Sequence, residues 1–306
     1  MTPNSLPASA PAPVQPVAQP ANQPAAHGAC ATCVHARHDA LRRLGVRAEA
    51  ADFVVALLGN PNTGKSTVFN ALTGLRQHVG NWPGKTVSRA EGAFETDGKK
   101  YRIVDLPGCY SLCSSSHHEE IARDFILFGG PDVTVVVVDA TRLERNLVIV
   151  LQTLEITGRV VVALNLMDEA KRRGLSVDAR ALSRRLGIPV VPMAARHGKG
   201  IDDLLAAIVS VATGAYETNP HRVHYGNGRL TARLEPIMRQ LEQLFPGLPN
   251  TRWVALRLLD KDHSMIQAVR EGTLGNIEAM TARVMPRLDT DALQDDQPAL
   301  VPEERS

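Results

Sequence analysis

Gly59-Asn60-Pro61-Asn62-Thr63-Gly64-Lys65-Ser66 is a complete G-x-x-x-x-G-K-[ST] loop. The apolar run Phe53–Leu58 precedes it, and a helical pattern from Lys65 to Leu72 follows. Strand, glycine-rich turn and helix in that order make a phosphate cradle. The glycines let backbone N–H groups turn inward without Cβ clashes, and the helix start adds a field favourable to anions. Lys65 suits β- and γ-phosphate oxygens, and the Ser66 hydroxyl suits Mg²⁺.

Working outward, further short β-branched runs appear at Tyr101–Val104, Val133–Val138, Arg159–Leu164 and Val190–Val191. Helical patterns lie between them, at Asn146–Glu155 and on the face marked by Ile201, Leu204, Leu205, Ile208 and Val209. Strands alternating with helices predict an α/β fold with a mostly parallel sheet covered by helices on both faces. Past Gly214 the strand signal stops. Helical faces follow at Leu230–Leu241, Trp253–Leu259 and His263–Val284. The expected organisation is a Pro/Ala-rich disordered arm at 1–29, a Cys/His-containing segment with a short basic helical pattern around Leu41 and Leu44 at 30–51, and a phosphate-loop domain at 52–214. A small helical domain at 215–288 and a flexible acidic tail at 289–306 complete it.

Two more strings stand at strand ends. Asp105-Leu106-Pro107-Gly108 follows Tyr101–Val104, where an aspartate near a metal shell and a γ-phosphate-sensing glycine belong. Asn165-Leu166-Met167-Asp168 follows Arg159–Leu164, and a carboxylate there can accept both the ring N–H and the exocyclic amine of guanine. The loop and the two strings, in this order, predict GTP as ligand and a phosphate-loop GTPase fold. Bland alternatives are a turn role for Asp105 and a helix N-cap role for Asp168.

These residues resemble the cytosolic part of the FeoB ferrous-iron transporters, a GTPase domain followed by a helical domain. The matching strings are GNPNTGKSTVFNALTG (Gly59–Gly74), VGNWPGKTV (Val79–Val87), DLPGCYSL (Asp105–Leu112), VDATRLERNL (Val138–Leu147), NLMDEA (Asn165–Ala170) and RWVALRLL (Arg252–Leu259). The resemblance implies that Thr86 in switch I closes on Mg²⁺ and the γ-phosphate, with Ser66 and Asp105 completing the protein side of the metal site. It implies that Asp105 and Gly108 belong to switch II, that Asp168 reads guanine, and that the Ala194–Arg196 loop offers backbone N–H groups to the base. It also makes Asn62 a candidate K⁺ ligand, with switch I carbonyls near Asn81–Gly84 completing the shell. Local loop hydrogen bonding is the alternative for Asn62.

The candidate nucleotide-binding residues are therefore Gly59, Asn60, Pro61, Asn62, Thr63, Gly64, Lys65, Ser66 and Thr67, then Gly84, Lys85, Thr86, Val87 and Ser88. To these are added Asp105, Leu106, Pro107 and Gly108, then Asn165, Leu166, Met167 and Asp168, and last Ala194, Ala195 and Arg196. Lys65, Thr86 and Gly108 are the candidate catalytic residues. Departures from the family pattern are Lys85 for an apolar residue, His118-Glu119 for Asp-Glu, and Ala194-Ala195 for Ser-Ala. Cys109 takes the place of the water-positioning Gln of many GTPases, so slow intrinsic turnover is expected.

Cys30, Cys33, His35 and His38 form a compact cluster, a candidate Zn²⁺ or Fe²⁺ site whose alternative is a reduced, exposed segment. His117–Glu120 reads as a solvated helix start and not as a metal cluster. With 34 Lys+Arg against 32 Asp+Glu the formal net charge is +2, which argues against a nucleic-acid partner. No apolar run is long enough to span a bilayer and no secretory leader is legible, so a cytoplasmic chain without direct membrane insertion is expected. The family's transmembrane pore is not legible after the helical patterns. The expected partner is a membrane iron permease component, approached from the inner face of the membrane, and oligomerisation is open. Two further readings are a ribosome- or RNA-associated GTPase and a nearly inactive nucleotide- or metal-sensing adaptor.

Overall fold

The computed structural model describes residues 41–42, 44–46, 51–74, 77–83, 87–113, 116–222 and 228–275. Seven strands form one sheet: β1 (Phe53–Gly59), β2 (Gln77–Asn81), β3 (Ser88–Thr96), β4 (Lys99–Asp105), β5 (Val133–Asp139), β6 (Val160–Asn165) and β7 (Val190–Pro192). Their order across the sheet is β2-β3-β4-β1-β5-β6-β7. From β4 to β7 all pairs are parallel, whereas β2–β3 and β3–β4 are antiparallel.

β1, β5 and β6 are almost uniformly apolar because both of their faces are covered. The two-residue side-chain period sorts them. Val55, Leu57, Val135 and Val137 share one face with Val68, Phe69, Leu204 and Ile208, from helices α1 (Lys65–Thr73) and α6 (Ile201–Ala212). On the other face, Val54, Ala56, Leu58, Val136 and Val138 pack with Phe125 and Ile149, from α2 (His117–Phe128) and α3 (Leu143–Ile156). The shorter helices α4 (Met167–Arg172) and α5 (Ala179–Leu186) flank β6 and β7.

Three helices follow the last strand: α7 (Gly228–Leu244), α8 (Thr251–Leu259) and α9 (His263–Arg270). Their inward residues Leu234, Leu241, Trp253, Met265 and Ala268 join the same apolar cluster as Phe125 and Ile149. The helical pattern expected over His263–Val284 is present only as far as Arg270, where α9 ends in turns through Gly272 and Gly275 at positive φ; its stretch beyond residue 275 lies outside the described residues.

The antiparallel strands β2 and β3 carry no apolar run. β2 is QHVGN, with Val79 69% exposed, and β3 is half polar. Backbone pairing, of β3 to β4 and of β2 to β3, makes them strands more than side-chain burial does. α2 opens on Ser116, whose hydroxyl accepts from the Glu119 N–H at 3.3 Å, a capping arrangement. The helix start read as solvated is so at His117 and His118, but Glu119 is buried.

Candidate functional site

The loop, Asp105 and Asn165 all come to the carboxyl ends of neighbouring parallel strands, through registers that set Leu57 beside Asp105, Gly59 beside Val137, and Asp139 beside Asn165. The chain leaves β1 toward one side of the sheet and returns to β5 on the other. A crevice at the carboxyl ends of such strands is where ligands bind in this kind of sheet.

Gly64 has φ +83°, a conformation that favours glycine, and a Cβ there would run into the Asn165 amide. Asn62 also has positive φ (66°), which asparagine tolerates. Thr63 Oγ1 donates to the Asn60 carbonyl at 2.9 Å, tightening the loop. No acidic residue occupies the first turn of α1 and no side chain caps it, so its N–H groups remain available to an anion.

Across a cavity of about 760 Å³ the Lys65 ammonium pairs with the Asp105 carboxylate. Burial pushes the Asp105 carboxyl above the usual carboxylate range, while Lys65 pulls the other way. The segment after Asp105 stays fastened to β1, since Leu106 N–H donates to Leu57 O at 2.9 Å and Cys109 N–H to Gly59 O at 3.3 Å. Further on, Leu112 N–H donates to Gln152 Oε1 at 2.8 Å.

The cavity is lined by Asn60, Pro61, Asn62, Gly64, Lys65, Ser66 and Thr67, by Val87 and Ser88, and by Asp105, Leu106, Pro107 and Gly108. His118, read from the sequence as a departure from the family pattern and as part of a solvated helix start, also lines it. Gln152 and His118 were not singled out as site residues; each lies far from the loop in sequence and belongs to no local motif. Asn62 is exposed here, without a side-chain hydrogen bond to a described residue.

The corner expected to receive the base is built around Asn165, which is 2% exposed. Its amide donates to Thr63 O and its oxygen accepts from Ala195 N–H, both at 3.0 Å. One buried side chain thus ties the phosphate loop to the 194–196 loop. Leu166 has φ 62° at the N-cap of α4, and Met167 N–H donates to Met193 O at 3.1 Å. Asp168 stays partly exposed, 3.4 Å from His197 Nε2 and 3.8 Å from Arg172. Ala194 N–H already donates to Lys199 O at 3.1 Å and Ala195 N–H to Asn165, which leaves the Arg196 N–H as the loop amide without a partner among the described residues.

Gly84, Lys85 and Thr86 lie outside the described residues, as do Cys30, Cys33, His35 and His38. Among the described residues no cluster of three or more His, Cys, Asp or Glu could hold a metal, and no helix is long and apolar enough to cross a membrane.

Sheet order, phosphate loop and the Asn165 bridge define a P-loop protein of the GTPase class. The family profile described as Ferrous iron transport protein B matches residues 53–208, and the chain belongs to that family. It is 40% identical over 249 residues to the Fe(2+) transporter FeoB of Salmonella typhimurium, covering 78% of this chain and 31% of that protein. Against the Fe(2+) transporter FeoB of Escherichia coli (strain K12) the identity is 39% over 251 residues, with the same coverage. The chain therefore spans less than a third of the length of these curated relatives.

Among solved structures, the cytosolic domain of the T. maritima FeoB iron transporter in apo form superposes with a TM-score of 0.66 at 34% identity, covering 75% of this chain and 93% of that one. The same domain in its GMPPNP form gives 0.63 at 37% identity, covering 72% and 86%. The cytosolic domain of L. pneumophila FeoB gives 0.65 at 33%, covering 75% and 93%. The expected α/β fold and family both hold.

Proposed function

We propose that this chain binds GTP with Mg²⁺ and hydrolyses it to GDP and phosphate, as the regulatory G-protein module of ferrous-iron uptake. The observation that carries this reading is the Asn165 bridge, which ties the phosphate loop at Thr63 to the 194–196 loop from a position three residues before Asp168. Relatives titled as FeoB cytosolic domains in GDP and GMPPNP forms support nucleotide binding.

In this reading the backbone from Gly59 to Lys65 holds the β-phosphate, and Lys65 leaves Asp105 to reach the β- and γ-phosphates. Ser66, Thr86 and Asp105 offer hydroxyl and carboxylate oxygens, the hard donors that suit Mg²⁺. When bound, Mg²⁺ neutralises charge on the β- and γ-phosphates. Asp168 accepts from guanine's two donors, and Arg196 offers its backbone N–H. Asn62, free of local bonds, points to a K⁺ requirement; when bound, that ion adds positive charge where negative charge develops. Gly108 leaves room for the γ-phosphate, and Cys109 cannot orient water as a Gln would, so turnover is slow.

The proposed partner is a membrane iron permease part, because the relatives are named Fe(2+) transporters. The module would work at the inner face of the membrane through that protein contact. The G domain is assigned to 52–214 and the helical domain to 215–288. Phosphate release from GTP and from ATP, each in KCl and NaCl at matched ionic strength, tests the reading. Release from GTP alone supports it, and equal use of ATP overturns it.

A further inference from the structure

Ahead of the family-matched stretch the chain makes a short turn that the nucleotide site does not use. Val46 N–H donates to Leu41 O at 2.9 Å and Gly45 N–H to Arg42 O at 2.7 Å, with Gly45 at φ +78°. This bond pair around a left-handed glycine is how a helix ends. The turn's apolar side chains point inward: Leu41, Leu44 and Val46 are 0%, 2% and 1% exposed and belong to the core that contains Trp82 and Phe125. Side chains so fully removed from water hold the turn in place, so this is a seated element and not a passing strand of chain.

The seat is made from both flanks of switch I. Arg89, on β3, donates from Nη1 to Leu44 O at 2.9 Å and from Nη2 to Gly45 O at 2.5 Å. Its guanidinium carbon lies 5.4 Å from the centre of the Trp82 ring, and Glu91 pairs with it at 2.9 Å. Trp82 is buried and meets Phe125 of α2 edge-on, with ring centres 5.7 Å apart. Leu44 also lies against Gly129, where a Cβ would come within 2.9 Å of its Cδ1. In the chain, Trp82 stands just before Gly84–Thr86 and Arg89 just after.

We propose that the Leu41–Val46 turn is an intramolecular brace of switch I. It seats against Trp82, Arg89, Phe125 and Gly129 and so holds the two flanks of switch I, Trp82 before it and Arg89 after it. The last carbonyls of a helix carry partial negative charge, and a planar guanidinium can bond two of them at once. Lysine cannot reproduce that fork. An element fixed by two ligands links them: nucleotide that closes switch I strengthens the seat, and loss of the seat loosens the closed switch. Arg89 is thus a positioning residue, which holds the flank after switch I to the turn's carbonyls.

The nucleotide half of this inference rests on the GTP reading above; the seat itself does not. The chain has two tryptophans, so in full-length protein with Trp253→Phe the remaining emission reports Trp82. In the nucleotide-free state, Gly45→Val and Arg89→Gln should each raise acrylamide quenching of Trp82 several-fold while far-UV dichroism keeps one cooperative melt. Arg89→Lys should recover only part of the protection. Unchanged quenching in both variants overturns the brace. In the unsubstituted chain, hydrogen exchange at the Gly45 and Val46 amides should be slow, and slower still with GMPPNP and Mg²⁺. Exchange at the rate of a free peptide overturns the brace irrespective of how any variant folds. Protected amides that ignore bound GMPPNP overturn the link to switch I. Failure of GMPPNP to bind in equilibrium dialysis overturns the nucleotide reading and that link, while the quenching result still decides the seat.

Discussion

The guanidinium of Arg123, wholly buried in α2, donates from Nη1 to the hydroxyl of Ser264 at 2.9 Å in the first turn of α9. It also lies 3.8 Å from Asp262, the residue that caps α9 by accepting from the N–H groups of Ser264 and Met265. Nε bonds Asp124 on its own helix at 2.7 Å. Burial pulls the guanidinium pKa down, but Asp124, Asp262 and Glu120 outweigh it and hold it above its ordinary value. This buried cation is a polar joint between α2 and the last helices.

Arg123→Met should therefore be costly. It leaves two buried carboxylates without their cation, and breaking a buried pair in this way typically costs about 3–5 kcal/mol. Denaturant melts of the variant should show that loss. A change under about 1 kcal/mol would mean that water or other groups reach the two carboxylates.

Base choice should rest on Asp168. Asp168→Asn removes an acceptor for guanine's donor pair, at a cost of about 1–3 kcal/mol in GTP binding. Xanthosine triphosphate, with a carbonyl in place of the amine, should gain affinity in the same titration.

Asn62→Ala should abolish faster turnover in K⁺ than in Na⁺ while sparing most GTP affinity, since Lys65 and the loop amides remain. Thr86→Ala should slow turnover in either salt by loosening switch closure on Mg²⁺. Identical rates for the unsubstituted protein in KCl and NaCl would remove Asn62 from the mechanism.

The two cysteines flanking Tyr110 should separate by chemistry. Burial and then the Glu119 charge push the Cys109 thiol up to about 12 against the opposing pull of Lys65, whereas Cys113 is exposed. In a Cys30→Ser, Cys33→Ser background, iodoacetamide at mildly alkaline pH should modify Cys113 and leave Cys109 until the protein unfolds. The stability linked to Cys109 is whole below its unfolded pKa of 9.0 and is lost as pH rises toward 12, by about 1.4 kcal/mol per pH unit. Alkaline melts of Cys109→Ala should fall less steeply than those of its parent.

The phosphate loop was legible because its chemistry lies in consecutive residues: Gly64 must take positive φ, and Lys65 and Ser66 follow it directly. β1, β5 and β6 were legible because burial on both faces leaves an uninterrupted apolar run. β2 and β3 were not, since their backbone pairing leaves no apolar record, as exposed Val79 shows. Leu41 and Leu44 suggested a short helical pattern, but nothing near them in the chain announces that Arg89 receives their turn. Asp105 and Asn165 were placed at strand ends by motif, yet their partners Lys65, Thr63 and Ala195 were set by strand register. Sequence by itself determined the local devices, the phosphate cradle and the buried strands, because a turn's φ angles and a strand's burial are paid for residue by residue. Only the tertiary structure decided which device meets which, because a hydrogen bond between residues a hundred positions apart depends on how the strands are ordered, and no single stretch of chain carries that order.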